Sequence, residues 1–105
     1  MAKYVFLYHG GKAPESDAEG AAVMQAWNQW FEGLGSAVVD MGQPTGPSAT
    51  VASDGATSDG GGANPVNGYS IITADSLEAA LVLAKTSPQL AAGGSIEVAE
   101  TLDIM

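Results

Sequence analysis

Tyr4-Val5-Phe6-Leu7-Tyr8-His9-Gly10-Gly11 is the stretch whose reading decides the fold. Residues 4–8 are an unbroken β-favouring run, far too short for a membrane helix, and the glycine pair halts it. The run reads as a strand buried on both faces. Alternation puts Tyr4, Phe6 and Tyr8 on one face and Val5 and Leu7 on the other. Downstream, Pro14 and Ser16 announce a helix. Ser16 with Glu19 matches a capping box, and Glu15, Asp17 and Glu19 place negative charge at the helix start. Val23, Met24, Trp27, Trp30, Phe31 and Leu34 recur at helical spacing and predict one buried stripe, with Gly33 and Gly35 as the stop.

Further along, Ala37 to Met41 predicts a second strand. Residues 42–68 hold seven of the 14 glycines and three of the five prolines, so this span reads as turn and loop. A short strand is expected within it at Ala49 to Ala52, and a long surface loop from Asp59 to Asn67. Gly68 to Thr73 predicts another strand. Asp75 with Glu78 resembles a capping box, Leu77, Ala80, Leu81 and Ala84 form the expected stripe of a second helix, and Pro88 ends it. Ser95 to Glu100 is the last strand. The order predicts one α+β domain over residues 1–105, ferredoxin-like βαββαβ, with an antiparallel sheet and two helices on one face. Helices on one face leave the other apolar face in water, and a homodimer joined sheet to sheet is the economical cover.

The composition excludes several function classes. The 105 residues carry 12 acidic groups against three lysines and no arginine, a formal net charge of −9. That balance repels phosphate backbones and anionic lipid, and there is no Arg fork for a phosphate. No nucleic-acid or membrane partner is expected. No apolar run approaches the ~18 residues of a membrane span. The short apolar stretch after Met1-Ala2-Lys3 does not make a signal peptide, and with no cysteine the expected compartment is the cytoplasm.

Ser58-Asp59-Gly60, Gly68-Tyr69, Asp75-Ser76-Leu77-Glu78-Ala79-Ala80, Ser87-Pro88 and Glu97-Val98 follow one another in the order seen in the YCII-related (DGPF) family, which this chain resembles. The segment Gly46 to Val51 and the first strand and helix also fit, so the resemblance spans nearly the whole chain. It implies a dimeric α+β barrel with a cleft between helices and sheet or at the dimer interface. The chain departs from the family where family members carry a His and an Asp. The first helix has no His, Ser87 stands where the family has an acidic residue, and the Asp-Gly-Pro-Phe motif is reduced to Asp59-Gly60-Gly61-Gly62. No catalytic dyad is carried over.

The residues themselves offer one candidate acid-base group. His9 is the sole histidine, at a strand end beside two glycines that permit close approach by a ligand. Asp40, near the end of the second strand, is its candidate orienting carboxylate. The alternative is a hydrogen-bonded or solvated strand-end histidine. Tyr8, Trp27, Tyr69 and Glu97, the last a carboxylate inside an otherwise apolar strand, are candidate linings of a small-ligand pocket. The competing reading puts Trp27 in the core, the tyrosines against the barrel or interface, and Glu97 at a solvent-facing edge. No metal site is expected, because one His and no Cys leave only carboxylates without ligand spacing. Gly60-Gly61-Gly62 is not followed by a helix or a Lys and reads as a turn rather than a phosphate loop. No cofactor is implied. Three functions remain: an enzyme using acid-base chemistry at His9 on a small organic molecule such as a lactone or aromatic-derived acid, a non-catalytic small-ligand-binding or accessory dimer module, or a purely structural dimer with a filled core and no ligand.

Overall fold

A computed structural model describes residues 1–104. The elements run β1 (Ala2–His9), α1 (Asp17–Leu34), a single 3-10 turn (Gly35–Ala37), β2 (Val38–Asp40), β3 (Ala49–Val51), β4 (Thr57–Asp59), β5 (Val66–Ala74), α2 (Leu77–Ala84), α3 (Pro88–Ala91) and β6 (Ser95–Glu100). The main sheet has the order β2-β5-β1-β6, and every neighbouring pair is antiparallel. The chain is thus α+β with a four-stranded antiparallel sheet and helices, compatible at that level with a ferredoxin-like arrangement. Strands β3 and β4 form a separate ribbon, exposed along its length. Of this ribbon only the first strand was expected. Thr57-Ser58-Asp59 has no apolar pattern, and pairing with β3 makes it a strand.

The core lies between the sheet and the helices. Tyr4, Phe6, Tyr8, Ile72 and Ala74 are buried on the sheet side, and Trp30, Ala80 and Ala84 on the helix side. Trp30 packs on Phe6 with ring centroids 6.3 Å apart, and Trp27 meets Tyr8 edge-on at 5.1 Å. The indole of Trp30 donates to Thr86 Oγ1 at 2.9 Å, which satisfies its one polar atom. The expected stripes hold only in part. Met24 is 62% exposed, and Leu77 and Leu81 also face outward, while Ala79 and Leu83 pack against the core instead. The second helix is therefore rotated from its expected face, so that small alanines let it lie close to the sheet.

Helix boundaries follow local chemistry. Ser16 Oγ accepts from Glu19 N–H at 3.1 Å, the expected cap. At the second helix the cap is Ser76, accepting from Ala79 N–H, rather than Asp75. Pro88 does more than end a helix. With Ser87 as cap it occupies the first turn of α3, where its missing N–H costs nothing.

Strand β1 departs from the expectation of burial on both faces. Tyr4, Phe6 and Tyr8 are buried, but Val5 and Leu7 are only half-buried. Tyr69, Ile71 and Thr73 of β5 share that second face and are half-buried too. Helices α1 and α2 lie on the other side, and none of these residues belongs to the core cluster.

Candidate acid-base site

His9 closes β1 on the open sheet face, in alternation with Val5 and Leu7. A register shift in the β1–β5 pairing falls at this point: Tyr8 pairs with Gly68, and His9 with Val66. Asn67 is the extra residue of this β-bulge, a feature that re-aims side chains at strand ends. On the other flank β6 pairs Leu7 with Glu97 and His9 with Ser95. Glu97 therefore sits diagonally across from His9 on the same face.

The imidazole is held on both sides. Nδ1 lies 3.0 Å from the Asn64 carbonyl and 3.2 Å from that of Pro65. A carbonyl only accepts, so Nδ1 carries the hydrogen and donates to this loop. The tautomer assigned from these partners leaves Nε2 as the atom that can gain or lose a proton. Nε2 is 3.2 Å from Glu97 Oε1, and the Glu97 side chain is 65% exposed against 10% for the histidine. An almost buried imidazole thus faces a solvated carboxylate. In the imidazolium form Nε2–H donates to Glu97. In the neutral form Nε2 carries the lone pair that can take a proton.

Asp40 is not the partner of His9. Strand β5 lies between β1 and β2, a separation of about 10 Å across two strand spacings. Asp40 Oδ1 instead accepts from Gly42 N–H at 2.8 Å, tying the turn that follows β2. The expected pocket residues are divided in the same way. Tyr8 and Trp27 lie in contact inside the helix-covered core, where the Tyr8 hydroxyl donates to Ser70 Oγ at 2.8 Å and Ser70 passes a bond to the Met41 carbonyl at 2.7 Å. Burial pushes the Tyr8 hydroxyl up to about 12, against a smaller lowering by the Ser70 bond. Tyr69 and Glu97 are on the opposite sheet face. The four residues therefore do not line one cavity.

Among the described residues, two open depressions lie elsewhere. One of about 380 Å³ runs between α1 and β2, lined by Phe31, Val38 and Met41 with Asn28 and Glu32 at its polar edge. The other, about 470 Å³, separates the first residues of the chain from Glu100 to Asp103. Among the described residues no group of three or more His, Cys, Asp or Glu side chains is placed to hold a metal ion. No described helix is long and apolar enough to cross a membrane.

Glu97 was recognisable in sequence as a carboxylate within an apolar strand, but its pairing with His9 depends on the β1–β6 register. Asn64, Pro65, Asn67 and Gln89, which surround the same strand end, carried no signal beyond turn propensity. No protein-family model matches the chain, and no curated protein matches it.

Proposed function

We propose that the chain is a YCII-like homodimer of the ferredoxin-like barrel type, acting on a small organic molecule with His9 as its acid-base group. The observation that carries this reading is the setting of the His9 ring. Loop carbonyls hold Nδ1–H, and Nε2 faces Glu97 at 3.2 Å. Neutral His9 takes a proton at Nε2, the Glu97 carboxylate balances the imidazolium, and Nε2–H then returns the proton to a leaving or carbanionic centre. Glu97 takes the orienting and charge-balancing role for which Asp40 was the sequence candidate. With net charge −9 and no arginine, neutral substrates such as lactones suit the site better than free acids.

Support for the dimer comes from the open face. The accessible surface is 6987 Å², against about 5,400 Å² for a compact monomer of this mass. The radius of gyration is 15.0 Å, against about 13 Å for a compact chain of this length. The protruding ribbon contributes to both excesses, as does a sheet covered on one side. A second copy laid on Val5, Leu7, Tyr69 and Ile71 would bury that face and roof the His9 site.

The test is turnover of a panel of lactones and aromatic acids by the wild type, His9→Gln and Glu97→Gln. Loss of about 100-fold or more in kcat is expected for His9→Gln, with a smaller loss for Glu97→Gln. A wild type inert across the panel, or a His9→Gln variant as active as wild type, would sink the enzymatic reading. Sedimentation equilibrium tests the dimer: Ile71→Glu should yield monomers.

A second reading, a non-catalytic ligand-binding or accessory dimer, is favoured by one observation. His9 is only 9% exposed and both its ring nitrogens already meet protein atoms. Ligand binding that survives His9→Gln without any turnover would select it.

A further inference from the structure

The ladders of β1 end at His9, which pairs with Val66 beyond the bulge at Asn67 and with Ser95, the first residue of β6. Two side-chain amides donate to the carbonyls at this strand end. Gln89, buried in α3, places Nε2 at 2.9 Å from the His9 carbonyl and 3.2 Å from that of Gly10. Asn67 Nδ2 donates to the same Gly10 carbonyl at 2.6 Å. The surroundings are shaped around the Gln89 amide. A Cβ at Gly94 would collide with Gln89 Nε2 and with the His9 carbonyl, and Gly94 N–H donates to the backbone carbonyl of Gln89 at 3.0 Å. Ser87 caps the short α3 that delivers the side chain, accepting from Gln89 N–H at 3.2 Å.

We infer that Gln89, assisted by Asn67, is the positioning residue for His9: the amide pair locks the His9–Gly10 backbone so that the ring stands between the Asn64–Pro65 carbonyls and Glu97. The inference rests on the reading of His9 as the working group, but its test does not. An apolar side chain of equal length would fill the same space, so mere packing does not require the amide. The His9 and Gly10 carbonyls facing it do, because they give the buried amide the acceptors whose absence would be costly.

The experiment is heteronuclear NMR of the single histidine in the full chain without ligand, for the wild type, Gln89→Met, Gln89→Glu and Asn67→Ala. Wild type should show ring NOEs from His9 to Pro65 and Glu97. Folded Gln89→Met should lose them, and Gln89→Glu, which turns an acceptor toward two acceptors, should lose them at neutral pH as well. Asn67→Ala, at an exposed position, should weaken them. Retention of the NOEs in folded Gln89→Met overturns the inference. Where Gln89→Met does not fold, unchanged NOEs in Asn67→Ala overturn it and weakened ones support it. The ring tautomer is read in the same spectra. A wild type without the hydrogen on Nδ1 defeats the acid-base reading, while the NOEs still judge the positioning role.

Discussion

The two faces of the sheet are built from alternate residues of the same strands, yet they end in different physical states. On one face Tyr4, Phe6, Tyr8, Ser70, Ile72 and Ala74 are sealed beneath the helices, and the two hydroxyls deepest among them bond in series to the Met41 carbonyl. On the other, Val5, Leu7, Tyr69 and Ile71 are half-buried, and the His9–Glu97 pair stands at one end. The covered face is complete within one chain. The open face carries uncovered apolar area and the His9–Glu97 pair, so the packed core and the candidate site fall on opposite sides of single strands.

Removing a ring from the covered face should produce the largest effect. Phe6→Ala is expected to cost about 3–5 kcal/mol in denaturant unfolding. Leu7→Ala, one residue away, should cost only about 1 kcal/mol in dilute protein, and more at concentrations where copies associate. Equal costs at all concentrations would erase the distinction between the faces. Alkali gives the next effect. Burial raises the Tyr8 hydroxyl to about 12 in the folded chain, whereas the unfolded value is about 10. The stabilisation from keeping it protonated is therefore complete below about pH 10 and is lost as pH rises through about 12, at most about 2–3 kcal/mol. Tyr4 is shifted in the same direction, first by burial and then by Glu100 and Glu78. Tyr8→Phe should flatten the alkaline loss in thermal melts recorded against pH, and an unchanged profile would place the transition elsewhere.

Smaller effects belong to the exposed helix start. Ser16→Ala removes the cap on Glu19 N–H and should lower stability by about 1 kcal/mol, visible as a modest fall in Tm. Lys12→Ala breaks the 2.8 Å contact with Glu15 between two exposed side chains. It should cost about 0.5 kcal/mol or less and fade with added salt. A loss as large as that of Phe6→Ala would show that the surface is more structured than its exposure indicates.

Much of this was legible in the residues. The alternation in residues 4–8 separated the two faces, the Ser16 cap was placed correctly, and Glu97 stood out as a carboxylate in an apolar strand. Periodicity placed Ala80 and Ala84 of the second helix correctly and misjudged Leu77 and Leu81, which are more hydrophobic but too large for its close approach to the sheet. Composition alone also concealed β4, whose polar residues become a strand only by pairing with β3.

The residues alone decided the order of the larger elements, the strand faces and the solitary imidazole, since these follow from local propensity, alternation and inventory. Which carboxylate meets that imidazole was decided by tertiary structure alone. Asp40 and Glu97 are both acidic residues on strands, and only the strand order, with β6 beside β1 and β2 beyond β5, gives His9 to Glu97. The amides of Gln89 and Asn67 depend likewise on a bulge and a four-residue helix that bring together groups remote in the chain. Pairing across a sheet is a non-local choice, made by the register that buries the most apolar surface, and no short window of residues encodes it.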